Sequence, residues 1–150
     1  MPSFPIQELT IVLLKKGISV EAFDCGDGDL NSFLKEDSFH YSEQELAKTY
    51  VALYQNQPIA FISICTDSIK LSKEEKLEEF GREKIHPDYP ALKIARLAVS
   101  KQYQHYHIGS TLIEYVIGMA INLSDAVGCR FVTIDAYPQK IKFYEKCSFI

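Results

Sequence analysis

One polar turn between a candidate strand and a candidate helix constrains this chain more than any other stretch. Residues 92–117 read LKIARLAVSKQYQHYHIGSTLIEYVI. Within them, residues 93–99 are rich in Ile, Leu, Ala and Val and become apolar on both faces, as a central strand would. From Gly109 on, Leu112, Ile113, Val116, Ile117 and Ala120 fall at helical spacing, and Glu114 is the only charge before Asp125. The turn between them is Gln104-His105-Tyr106-His107-Ile108-Gly109-Ser110. A strand that feeds a helix through such a turn points several backbone N–H groups outward at the helix N-terminus. That geometry binds anions, phosphate above all. The same pattern also serves an ordinary strand-to-helix connection with no ligand.

The chain has 150 residues, enough for one domain with a proper core. Its 47% hydrophobic and 24% charged content marks a globular protein. The net charge is −4 and the pI about 5.6. Proteins whose main partner is a phosphate backbone are usually basic, so nucleic acid is disfavoured. No run approaches the ~18 apolar residues of a membrane span. The opening MPSFPIQELT lacks the basic and apolar regions of a signal peptide, so a cytoplasmic protein with no membrane partner is expected. Cys25, Cys65, Cys129 and Cys147 form no C-x-x-C pair and are expected to stay reduced. His40, His86, His105 and His107 are not spaced with them as zinc ligands, so no metal is expected.

The remaining segments read in order. Residues 8–15 form a first strand around Thr10 to Leu13, broken by Gly17. Phe23-Asp24-Cys25-Gly26-Asp27-Gly28-Asp29 is turn-rich and leads into a helix with Asp27 or Asp29 near its N-cap and Leu30, Phe33 and Leu34 on one face. Its aspartates argue for capping over phosphate binding. A second short helix is expected around residues 42–46. Residues 49–54 and 58–67 read as a hairpin turned at Asn56 and Gln57. Residues 67–85 are strongly charged, either a surface helix with i,i+4 pairs or a mobile excursion. The long helix spans residues 109–126 with Gly128 as its C-cap, and residues 129–135 (CRFVTID) form a strand. Strand, helix and strand make a crossover with a parallel pair. Pro138 opens a short helix with Phe143, Tyr144 and Cys147 on its buried side.

Ala95-Arg96-Leu97-Ala98-Val99, followed by Tyr103-Gln104 and His107-Ile108-Gly109-Ser110, resembles the acetyl-CoA motif of the GNAT N-acetyltransferase superfamily. Asp135-Ala136 with Lys142-Phe143-Tyr144-Glu145-Lys146 and Phe149 resembles the family's second signature. The opening Phe23-Asp24-Cys25-Gly26 with Leu30, Phe33 and Leu34 is similar to a bacterial subgroup that includes toxins acetylating aminoacyl-tRNA. The resemblance implies an α+β fold over residues 1–150, a single domain. Its twisted sheet would be mixed and mostly antiparallel, with a central parallel pair that splays and helices on both faces. The family continues past this point with one or two more strands, so the last strands are expected to be lacking or supplied by a partner subunit. A homodimer is favoured because that sheet edge would otherwise be bare.

The resemblance also implies a site. Acetyl-CoA lies where the two central strands part, and the turn wraps its pyrophosphate. Gln104 takes the first position of the family's turn and Gly109 the last, with His105, Tyr106, Ile108 and Ser110 between or beside them. His107 stands where the family has glycine. It either crowds the pyrophosphate or, when protonated, pairs with it. Leu97, Ala98 and Val99 line the pantetheine arm, with backbone groups of Leu97 and Val99 offered as an added strand would offer them. The chemistry is acyl transfer from a thioester to a primary amine of an unknown acceptor. Tyr144 matches the tyrosine that protonates the leaving thiolate, and a structural core tyrosine is the other reading. Asp135, at the end of its strand, is the candidate base or else caps the next helix. A non-catalytic CoA-binding or partner-binding module and a toxin acting on aminoacyl-tRNA are the alternative functions.

Overall fold

Alternation within the strands sorts the apolar side chains to two faces of one sheet. The computed structural model describes residues 4–70, 72, 74–75 and 88–135. Five strands lie in chain order: β1 (Thr10–Leu13), β2 (Lys48–Tyr54), β3 (Gln57–Ile69), β4 (Tyr89–Val99) and β5 (Phe131–Ile134). Neighbours from β1 to β4 are antiparallel, and β4 and β5 are parallel. Helices α1 (Gly28–Ser32) and α2 (Ser38–Glu43) are joined by a π-helical turn, Phe33–Asp37. Helix α3 (Ile108–Leu123) makes the crossover between β4 and β5.

Consecutive residues of β3 serve opposite cores, because side chains alternate along a strand. Phe61 packs with Phe23, Leu30, Phe33, Leu34, Val51 and Ala98 beneath α1 and α2. Ile62 packs with Ile94, Leu97, Ile108, Leu112, Ile113 and Val116 beneath α3. Full burial of each large aliphatic side chain contributes about 1.5–3 kcal/mol. That burial holds α3 against the sheet far more firmly than any cap could. The result is the expected α+β arrangement, a mixed and mostly antiparallel sheet with helices on both faces.

Several boundaries differ from the sequence reading. The first strand is shorter, because Ile6–Glu8 forms a 3-10 turn before it. The hairpin turns at Gln55 and Asn56, with φ of 51° and 63°, one residue earlier than expected. Two left-handed residues match the twist of the flanking strands. The second helix runs over Ser38–Glu43, continuous with the first through the π turn, and residues 42–46 are mostly its exit. Ser38 sustains that continuity, since its buried hydroxyl donates to Leu34 O at 2.7 Å. α3 stops at Leu123, where Ser124 Oγ donates back to Ile121 O at 2.6 Å. Gly128 therefore does not cap it, and its backbone is not left-handed. Ser72 and Glu75 form a reciprocal capping box at 2.8 and 3.1 Å, the start of a helical turn. The rest of the charged stretch, and the helix expected after Pro138, lie outside the described residues. Among the described residues no helix is long and apolar enough to cross a membrane.

Candidate active site

Two neighbouring strands that stop pairing expose backbone groups that something else must satisfy. Among the described residues β4 and β5 pair from Ala91↔Phe131 to Ile94↔Ile134, closed by Asp135 N–H donating to Ile94 O at 3.0 Å. β4 continues to Val99, and among the described residues nothing pairs with it on that side. A bulge falls at the same point: Ile64 faces Ile94 but Ser63 faces Arg96, leaving Ala95 as the extra residue. A bulge bends and twists its strand, so it directs β4 away from β5. Ser100 N–H donates to Ile59 O on β3 at 2.7 Å, while Val99 O accepts from Gln104 Nε2 at 3.0 Å on the open side. By strand alternation the backbone of Leu97 faces the same opening as that of Val99, and Ala98 faces β3.

The turn after β4 brings a helix N-terminus to this opening. His107 is the N-cap of α3 with φ 61° and ψ 24°, left-handed, as expected for a residue standing where glycine would. Its carbonyl accepts both Thr111 N–H at 3.2 Å and Thr111 Oγ1 at 3.1 Å. No side chain caps α3, and the N–H groups of Ile108, Gly109 and Ser110 have no acceptor among the described residues. A helix dipole with free N–H donors is a ready anion site. The side chains of His105 and His107 are exposed beside it.

The turn is held from two distant parts of the chain. Gln104 Nε2 donates to Cys25 O at 2.8 Å as well as to Val99 O. Lys101 N–H donates to Asp24 O at 2.9 Å, and Lys101 Nζ lies 3.4 Å from Asp24 Oδ2. Gly26 sits under Lys101 with φ 91°, and a Cβ there would lie 3.2 Å from Lys101 Cε. Asn31 Nδ2 and Gly26 N–H both donate to Asp24 Oδ1 at 2.9 Å, and these bonds, with Lys101, hold the carboxyl below 3.8. Asp27 caps α1 as expected, accepting Asp29 N–H at 2.9 Å and Leu30 N–H at 3.2 Å. On the other side Phe4 packs against Tyr103, Tyr106 and Tyr54 with ring centres 5.7, 5.5 and 4.9 Å away. Neither Phe4 nor Asp24 was a site candidate from the sequence. The only signal was the turn chemistry around Asp24, which spoke for capping alone.

At the closed end of the opening, Asp135 pairs with Lys93 Nζ at 3.1 Å. That bond raises the Lys93 ammonium above its ordinary 10.5, and burial pushes the nearby Cys65 thiol up. Asp67 Oδ2 accepts from Thr133 Oγ1 at 3.4 Å on the same patch. Tyr144, and the part of the second signature from Ala136 on, lie outside the described residues. Cys65 and Cys129 are free thiols. Among the described residues no three potential metal ligands are grouped.

A strand pair that splays beside a helix N-terminus is the architecture of acyl-CoA-dependent transferases, and the comparisons with known proteins agree. Residues 18–149 match the Acetyltransferase (GNAT) family. The chain belongs to that family and is an acetyltransferase. It is 24% identical to a tRNA-acetylating toxin of Mycobacterium tuberculosis (strain ATCC 25618 / H37Rv) over 119 residues, 78% of this chain and 69% of that protein. Its fold matches AtaT complexed with acetyl-methionyl-tRNAfMet at a TM-score of 0.83 and 22% identity, covering 95% of this chain and 86% of the other. It also matches AtaTR bound with AcCoA at 0.81 and 21% identity, covering 96% and 87%.

Proposed function

We propose that this protein transfers the acetyl group of acetyl-CoA to a primary amine by direct attack of the amine on the thioester. The observation that carries the reading is the open edge of β4 beyond Ile94, which meets the N–H groups of Ile108, Gly109 and Ser110, unbonded among the described residues. The residues fit the donor. Those N–H groups, with His107 and the flanking His105 and Tyr106, would take the diphosphate. Gln104 would hold the turn in place through Val99 and Cys25. Leu97 and Val99 would offer backbone groups to the pantetheine arm, with Ala98 between them. The thioester then sits near the bulge, where polarisation of its carbonyl by a fixed N–H lowers the barrier.

The attacking amine must be neutral and the leaving thiolate must gain a proton. Tyr144 is assigned as the acid. Asp135, at the last β4–β5 rung, is the candidate base, although its pairing with Lys93 lets water compete for that role. Acceptor assays with acetyl-CoA and a panel of polyamines, peptides, amino-sugars and aminoacyl-tRNA test the reading. Tyr144→Phe keeps the ring and removes the proton. It is expected to lower turnover by about 10²–10⁴-fold with unchanged acetyl-CoA affinity and melting temperature. A full rate in that variant would exclude Tyr144 as the acid.

A second, narrower reading names aminoacyl-tRNA as the acceptor. It is favoured by the relatives, one a tRNA-acetylating toxin and one in complex with an acetylated aminoacyl-tRNA. The formal charge of −4 spoke against nucleic acid, but a net charge describes a whole chain and not one face.

A further inference from the structure

The sheet face beneath α1 and α2 carries an arginine that has no counter-charge among the described residues. Arg96 lies just past the bulge, two residues beyond the last β4–β5 pair. Its guanidinium carbon is 3.9 Å from the ring centre of Phe33 and 5.3 Å from that of Tyr41, so the helical arm holds the group by its π faces. Its register partner on β3 is Ser63, and the partner of Ser63 on β2 is Thr49. Both hydroxyls are buried, and neither has a hydrogen-bond partner among the described residues. The carboxylates of the same face are engaged elsewhere: Asp67 with Thr133 and Ser68 N–H, Asp135 with Lys93. Among the described residues Arg96 makes no ion pair and no hydrogen bond.

An arginine cannot discharge, and a partly buried charge without a partner is costly. Its planar fork of donors suits two parallel bonds to phosphate. The other face of the opening is filled by the α3 cluster, which includes Leu97 and Ile94. An acceptor therefore reaches the thioester from the Arg96 face. We infer that Arg96 binds a phosphate of the acceptor, so that the enzyme selects primary amines carried on phosphate-bearing molecules. This rests on the acetyl-transfer reading above and narrows its acceptor. Two sources supply the chemistry, the 3′ nucleotides of an aminoacyl-tRNA and a small phosphorylated amine.

The test uses acceptor pairs that differ in phosphate: methionyl-tRNA against methioninamide, and phosphoethanolamine against ethanolamine. Arg96→Met keeps length and packing over the rings, and Arg96→Lys keeps the charge without the fork. With Arg96→Met, KM for the phosphate-bearing member that wild type uses rises by about 10- to 100-fold, the range for losing bonds to a charged group. The phosphate-free member and the acetyl-CoA dissociation constant stay within about twofold of wild type, and Arg96→Lys falls between. Equal losses on both members, or no change on either, would overturn the inference and leave Arg96 a clamp between β4 and the helical arm. An Arg96 effect confined to phosphoethanolamine, with methionyl-tRNA not acetylated at all, supports the inference and removes tRNA as acceptor. Methionyl-tRNA acetylated equally well by wild type and Arg96→Met removes the inference and leaves tRNA in place. A wild-type enzyme that acetylates no amine removes both.

Discussion

β4 is one strand with two fates. Its first half, Ala91 to Ile94, is bonded on both edges, to β3 and to β5. Its second half, Leu97 to Val99, is bonded to β3, and among the described residues its other edge meets a side chain, Gln104. Composition does not separate the halves, since both are apolar and mostly buried. What separates them is one extra residue, Ala95, which bends the strand. A fully paired backbone can only stabilise, whereas a half-paired one can also bind. The same strand thus carries the fold in one half and the donor site in the other.

That contrast can be broken from either side. The largest effect is expected from Ile94→Ala in the paired half, where a fully buried side chain beneath α3 is lost. It should cost about 2–5 kcal/mol of stability, read from urea unfolding. Acetyl-CoA affinity per folded molecule should hold, and a matching fall in affinity would show that the halves are not separable. Next comes Ser110→Asp at the mouth of the open half. A carboxylate in the first turn of a helix favours the free protein by about 0.3–1 kcal/mol. The same charge within a few ångströms of a diphosphate opposes it by about 4 kcal/mol, or more than about 100-fold in affinity. Melting temperature should rise slightly while calorimetric binding of acetyl-CoA collapses.

Smaller effects sharpen the comparison. His107→Gly relieves a left-handed histidine, worth about 1 kcal/mol, and should keep or improve acetyl-CoA binding. If His107 instead donates to phosphate, binding weakens, as calorimetric titration of both variants would show. The smallest effect belongs to the Lys93–Asp135 pair at the junction. Both side chains are partly exposed, 29% and 63%, so Asp135→Asn should cost no more than about 1 kcal/mol. The Lys93 ammonium is raised above 10.5 by its bond to Asp135. The pair's contribution is therefore complete below that pH and lost as pH rises through the raised value. Thermal melts from pH 9 to 12 should show a decline that is shallower in Asp135→Asn.

Much of the strand–turn–helix unit was legible in the sequence, because periodicity and turn chemistry are local. A cap at Asp27 or Asp29 followed from residue type and position, and the structure uses Asp27, whereas the left-handed backbone at His107 followed only from the family resemblance. The strand begins at Tyr89, four residues before the stretch its apolar pattern marks, because proline is depleted in strands and Pro90 breaks the local signal. Pro90 is accommodated because it has no N–H to pair, while its carbonyl still accepts Arg130 N–H at 2.9 Å. The bulge was not legible either, and it matters for the site. Strict alternation would place Lys93 and Arg96 on opposite faces, yet Ala95 shifts the register so that both share one. The partners of Gln104 were out of reach for a different reason. Cys25 is 79 residues away, and no local pattern encodes which distant carbonyl an amide will find.

The spatial order of the strands equals their order along the chain. Each strand can therefore dock on the one made just before it, by closures that carry little entropy. The turn at Gln104 is different, since its supports at Phe4, Asp24 and Cys25 come from the far end of the sequence. Such remote closures are the slow ones in folding. The sheet can thus assemble early and outlast local openings, while the donor turn takes its final shape late and is the first to lose it.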